Sequence, residues 1–251
     1  MFDKIKKFEE ELAEFTGAPY AIMTDCCTHA IELCLRYDRV RACKFTPYTY
    51  LSIPMTMHKL GIHYVYHDTE WQHWEGEYEF TYTRIWDSAR RLEQDMYRPG
   101  TMQCLSFGHS KPLAIGHGGA ILLDDKKAYQ TILRQRYDGR DLTVAPWQDQ
   151  KTFHVGYHYK PSIEDAVQGA VNLSLFIRQG REKDDAHKVA ADVILAHGIA
   201  DKRYFFTQDS DTSLPLANEY DYLLVPGAWH VNRLIEGSYR RNPHYQITVE
   251  Q

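Results

Sequence analysis

Short apolar runs alternate with amphipathic stretches along most of this chain, and that alternation restricts the fold more than any other feature. Ile5, Phe8, Leu12 and Phe15 recur at helical spacing, with Asp3 placed to cap the helix and Gly17 to end it. The apolar run 20–23 follows as a strand, and Ala30, Ile31, Cys34 and Leu35 return to helical spacing. Residues 42–45 read as a strand, 50–60 as a helix closed by Gly61, and 62–66 as a strand ending at Asp68. Further strands are expected at 85–87, 103–107 and 119–123, with helices at 126–137 and 162–197, the latter broken near Gly180. In the tail, 204–206 and 222–225 are strand-like and 231–236 helical, whereas 71–82 is aromatic and acidic without a period. Strands alternating with helices predict an α/β chain whose mostly parallel sheet is flanked by helices on both faces.

A chain of 251 residues accommodates a large domain and a small one, and buries enough surface to need no staples. Its five cysteines are odd in number and lack framework spacing, which points to reduced thiols and a cytoplasmic setting. No apolar run approaches the ~20 residues a bilayer demands, and the charged amino terminus is unlike a secretion signal. With 29 basic against 34 acidic residues, net −5, the chain lacks the basic excess of a nucleic-acid binder. Neither a membrane nor a nucleic acid is an expected partner.

Ligands of open α/β sheets sit at the carboxyl ends of strands, so polar residues just beyond strands are the candidates. Thr28 lies where a strand hands over to a helix, Asp87 ends a strand before Ser88 and Ala89, and Ser106 ends another. Ser106 opens the segment Ser-Phe-Gly-His-Ser-Lys, whose Lys111 precedes the turn Gly116-His117-Gly118-Gly119. Taken singly, Thr28 and Asp87 read as helix caps and Lys111 as a solvated loop lysine.

In order, these residues resemble the fold-type-I pyridoxal phosphate enzymes, and more narrowly the DegT/DnrJ/EryC1/StrS family of sugar aminotransferases. FEEELAEFTGAPYAIMTDCCTHAIELCL is similar to that family's first helix, strand and phosphate-binding helix start. TPYTYLSIP with GIHYVYHD, IWDSARR, LSFGHSKPLAIGHGGAILLDD, LRQRYDGR and GYHYKPSIEDAVQGA resemble its later elements. The likeness covers about residues 5–175. It implies a pyridoxal-phosphate-binding large domain at 1–175 and a reduced carboxyl-terminal small domain at 176–251.

The resemblance also implies roles. Lys111 would form the internal Schiff base and shuttle the proton, and Asp87 would keep the pyridine nitrogen protonated. Tyr50 matches the aromatic position that stacks on the ring. Thr28 and Ser106 would donate to the phosphate beside Cys27 and His29, aided by the helix dipole. His158 stands where the family has an Asn that reaches the phosphate of the neighbouring subunit, so a homodimer with shared sites is expected. The implied reaction moves an amino group from an amino acid, glutamate in the first instance, to a keto-sugar or other small carbonyl. Lys111 separates the chain from the family's dehydratases, which carry His there. Another reaction of the same cofactor on an unusual substrate, decarboxylation or elimination, and a non-catalytic relative are the alternatives.

Departures from the pattern fall around the pocket. Cys26-Cys27 replaces Ser-Gly, His29 stands where Ala is common, Arg90 replaces a Gln near the phenolic oxygen, and His117 replaces a Glu. The interval from Asp68 to Asp87 lacks the family's additional strand–helix unit, and the carboxyl region is short, which leaves the acceptor open. His154 with His158, and His63 with His67, have i, i+4 spacing, but no carboxylate or Cys completes a ligand set, so no metal is expected. Arg36, Arg39, Arg41 and Lys44 read as a solvated helix end, and Cys26 and Cys27 as small packed residues rather than nucleophiles.

Overall fold

The computed structural model describes residues 2–67 and 76–178. Asp68, the expected elements at 204–206, 222–225 and 231–236, and the helical stretch past 178 lie outside the described residues. In chain order the elements are α1 (Asp3–Thr16), β1 (Tyr20–Thr24), α2 (Cys27–Tyr37), β2 (Ala42–Phe45), α3 (Ser52–Leu60) and β3 (His63–Tyr66). They continue with β4 (Tyr78–Glu79), β5 (Ile85–Asp87), β6 (Met102–Ser106), β7 (Gly119–Leu123), α4 (Lys126–Gln135) and α5 (Ile163–Arg178). Residues 2–40 and 76–178 form one compact unit, and 41–67 belong to a second.

Helix ends follow local chemistry. Gly17 and Gly61 terminate α1 and α3 in the left-handed region, at φ 73° and 65°, where a Cβ would be strained. Asp125 caps α4, its carboxylate accepting from the N–H groups of Lys127 and Ala128. Asp3 is not a cap: α1 starts one residue earlier than that reading requires, with Phe2 at the N-cap and Asp3 in the first turn. There its charge faces the positive end of the helix dipole.

In the first unit the strand order is β1-β7-β6-β5-β4. Only β5 and β6 pair in parallel; β1 with β7, β6 with β7, and β4 with β5 are antiparallel. The fold is α/β as expected, but the mostly parallel sheet is corrected for the described strands. A parallel neighbour needs a crossover, usually a helix, and the link 107–118 between β6 and β7 contains none, so the chain turns straight back. The second unit does hold the expected crossover: β2 and β3 pair in parallel, with α3 between them in sequence.

The sheet of the first unit is covered on both faces, and every residue of β7 is buried. On one face Phe8 and Leu12 of α1, with Ala166, Leu173 and Phe176 of α5, pack against Met23, Leu105, Ala120 and Leu122. Gly169 of α5 admits the Phe8 ring, which a Cβ would approach to 2.6 Å. The alternate residues of the strands meet the other helices: Cys104 Sγ lies 3.7 Å from Cys34 Sγ of α2, and Tyr20 stacks on Tyr129 of α4. Among the described residues no helix is long and apolar enough to cross a membrane.

Candidate active site

Register brings the polar strand ends together. Gly119, the first residue of β7, is opposite both Thr24 at the end of β1 and Ser106 at the end of β6. Asp87, the last residue of β5, is opposite Cys104 of β6. The start of α2 is pressed onto this edge, for a Cβ on Gly119 would stand 2.4 Å from the Cys27 amide nitrogen. Glycine is therefore required at 119 by a backbone-on-backbone contact.

Lys111 rides on the loop between β6 and β7. Its amide donates to the Gly108 carbonyl, its carbonyl accepts from Ala114, and a bridge between Gly108 and Gly116 closes the loop at its base. A Cβ on Gly108 would lie 3.8 Å from Lys111 Cγ and 3.9 Å from Ser106 Oγ, so these two side chains flank one point. Burial pulls the Lys111 amine down to about 8; the Arg90 charge acts in the same direction, and Asp87 and Cys27 oppose it. About one amine in ten is then neutral at pH 7.

Asp87 is 6% exposed. One carboxylate oxygen accepts from the Tyr78 hydroxyl at 2.8 Å and the other from the Ala89 amide at 2.9 Å. Burial raises its pKa, partly offset by the Tyr78 and Ala89 hydrogen bonds and by the charges of Lys111 and Arg90. A buried carboxylate with both oxygens held, beside an amine of lowered basicity, suits binding a cationic ring nitrogen and exchanging a proton.

Cys27 is the first residue of α2, and its buried thiol donates to the Cys104 carbonyl at 3.7 Å. Burial, and next the nearby Asp87 charge, push the Cys27 thiol well up, so it is a packed neutral group and not a nucleophile. All five cysteines are free. Thr28 sits half-buried in the first turn of α2, where the positive end of the helix dipole favours an anion. The His29 ring stacks on Tyr159 at 3.7 Å, and its Nδ1 lies 2.8 Å from Asp25. Burial works against the imidazolium, but the Asp25 and Cys26 hydrogen bonds outweigh it and raise His29 to about 9.

Thus Cys27, Asp87, Arg90, Ser106 and Lys111 meet in the first unit. Tyr50 belongs to the second unit, at the turn entering α3, and is 44% exposed. His158 is exposed and its Nδ1 lies 3.1 Å from both carboxylate oxygens of Asp138.

Sequence reasoning missed Tyr78, which fell in the aromatic stretch without a period, and the ion pair beneath β1. There the buried Glu9 accepts from the Met23 amide at 2.7 Å and from Arg136, which also donates to the Met23 carbonyl. This pair ties α1 and the end of α4 to the strand that delivers the α2 start. In sequence, both residues look like ordinary helix-surface charges.

The sequence profile described as the DegT/DnrJ/EryC1/StrS aminotransferase family matches residues 1–79 and 93–209. No curated protein matches by sequence. Among solved structures, AtS13 from Actinomadura melliaura is similar with TM-score 0.58 and 18% identity over 70% of this chain and 60% of its own. The sugar aminotransferase CalS13 from Micromonospora echinospora gives 0.55 and 14% over 70% and 61%. 3-Amino-5-hydroxybenzoic acid synthase gives 0.56 and 20% over 70% and 57%. The chain thus spans about 60% of the length of these solved relatives.

Proposed function

Because the chain belongs to the DegT/DnrJ/EryC1/StrS aminotransferase family, we propose that it is a pyridoxal-phosphate-dependent aminotransferase. Its amino donor would be an amino acid, glutamate first, and its acceptor a keto-sugar or other small carbonyl compound. One observation carries the reading: an amine lowered to about 8 and a buried, doubly hydrogen-bonded carboxylate stand together at the strand ends.

The residues present fit the cofactor. Lys111 supplies the amine that an aldehyde requires, Asp87 the carboxylate that a pyridinium nitrogen requires, and Ser106 with the start of α2 the donors that a phosphate requires. The close approach at Gly119 keeps those α2 amides at the sheet edge. When bound, pyridoxal phosphate supplies a carbonyl that condenses with amines and a ring that accepts electron density.

The chain's own groups do the rest. With the cofactor bound, Lys111 would be the base that accepts a proton at Nζ and returns it. Its lowered pKa places that exchange close to neutral pH. Asp87 keeps a positive charge at the ring nitrogen while Tyr78 and Ala89 fix its orientation. Arg90 adds a cation that favours an anionic phenolic oxygen. Cys27 packs between α2 and β6, and His29 would lie beside the donors that hold the phosphate. Tyr50 is proposed as the ring's stacking partner.

We also propose a cytoplasmic homodimer in which the exposed His158 reaches the partner's cofactor phosphate, with residues 1–175 as the large domain and 176–251 assigned to a small one. Free thiols at every cysteine support the compartment.

Borohydride reduction of the purified protein, followed by peptide mapping, tests the central claim. A phosphopyridoxyl group should appear on Lys111, and its appearance on Lys126 or Lys160 instead would sink the assignment. Glutamate should then convert the absorption of the aldehyde form of the cofactor into that of the amine form. If no amino donor does so, the chain is not an aminotransferase, and another reaction of this cofactor or a non-catalytic role takes its place.

A further inference from the structure

We propose that Asp25, Cys26 and His29 form a binding site for a thiophilic divalent cation of the zinc class. This inference does not rest on the aminotransferase reading. The ligand atoms of the three side chains lie within 4.8 Å of one another. Carboxylate, thiolate and imidazole form a donor set that zinc takes readily.

The local fold explains the convergence. Cys26 is the N-cap of α2, with extended backbone at φ −160° and ψ 161°, and His29 lies in the first helical turn. Side chains at the N-cap and three residues on face each other, the geometry that a capping box uses. A Cys-x-x-His chelate therefore closes around one turn of backbone, and Asp25 adds a third ligand from the preceding residue.

The imidazole is already oriented. It stacks on Tyr159 at 3.7 Å with 7° between the planes, and the Tyr159 carbonyl accepts the Asp25 amide at 3.1 Å. The Tyr159 hydroxyl is itself held by Glu32 at 3.0 Å, so the stacking partner is anchored at both ends. Such outer support commonly fixes a ligating histidine. With 28% and 26% of the side chains exposed, His29 and Asp25 are open to a cation arriving from solvent.

Ligand bonds of about 2.0–2.3 Å set tetrahedral ligands roughly 3.3–3.7 Å apart. His29 Nδ1 is 2.8 and 2.9 Å from the two Asp25 oxygens, so the pair opens by about half an ångström to admit the ion. Three protein ligands leave a fourth position for water or an anionic oxygen. The ion would clip the β1–α2 connection to the first turn of α2, on either side of Cys27 and Thr28.

Cobalt(II), a spectroscopic stand-in for zinc, tests the site in the 251-residue chain as purified. One cobalt per chain should bind with the visible d–d bands of a four-coordinate thiolate complex, and added zinc should abolish them. Cys26→Ser, a one-atom change at a half-buried position, and His29→Ala should each weaken binding by at least the roughly tenfold that loss of an outer-shell partner costs. Cys43→Ser, which alters a thiol of the second unit, should leave binding unchanged. Absence of stoichiometric bands, equal binding by Cys26→Ser, or loss in Cys43→Ser would overturn the proposal. Borohydride mapping of Lys111 on the same samples reports the cofactor separately, so the two readings can fail independently.

Discussion

Lys111 carries its charge at a cost to the unliganded fold. Burial and the neighbouring Arg90 lower its pKa from 10.5 to about 8. The folded state thus holds the proton less tightly than the unfolded chain. The penalty is fully present below the folded value of about 8 and fades as the pH rises towards 10.5. Integrated over the shift, it is about 3 kcal/mol at pH 7 and about 2 kcal/mol at pH 9. Lys111→Met keeps the length of the side chain and removes the ionisable group. Stripped of cofactor, the variant should therefore be more stable than the parent by about 3 kcal/mol at pH 7, a rise in melting temperature of roughly 6–12 °C. The gain should shrink by about a third at pH 9. Thermal melts of both proteins across pH 6–9.5 measure it directly. A variant that melts lower at pH 7, or a gain that grows with pH, would refute the reasoning that links burial to a poised amine.

Other substitutions probe the neighbouring parts. Asp87→Asn should retain the cofactor yet slow single-turnover reaction with an amino donor by more than tenfold, about 1.4 kcal/mol of barrier; a smaller loss removes Asp87 from the ring nitrogen. Gly119→Ala drives a Cβ into the Cys27 amide and should destabilise by about 1–3 kcal/mol; an unaltered melt would mean α2 yields freely at that edge. Lys111→Ala and His158→Ala proteins, each inactive alone, should recover activity when their subunits exchange, since each mixed dimer holds one site with both residues intact. No recovery despite confirmed exchange would count against His158 serving the partner.

Much of the frame was legible. Helix ends at Gly17 and Gly61, the strands at 20–23, 42–45, 85–87 and 119–123, and the line of strand-end residues all followed from local pattern. Pairing did not. Apolar runs carry no label for their neighbours, and β1 pairs with a strand about a hundred residues away. The Gly-rich stretch 116–119 drew attention for its chemistry, while its geometric consequence, an antiparallel return without a helix, was hidden. Asp87, Ser106 and Lys111 stood out as polar residues just beyond strands, and the family resemblance alone suggested roles for them. Tyr78 did not stand out, because a two-residue strand in an aromatic, acidic stretch has no period to detect. Glu9 and Arg136 are likewise separated by most of the large unit, and only the folded sheet shows that they neutralise each other below β1.

The Gly108–Gly116 bridge makes the lysine's perch a closed ring of chain. A ring fixes reach: the distance that Nζ can travel is set by the circumference between the two glycines rather than by the flexibility of the side chain alone. Adding or deleting a residue inside the ring must displace the amine relative to Asp87, whereas length changes outside the ring leave that circumference untouched.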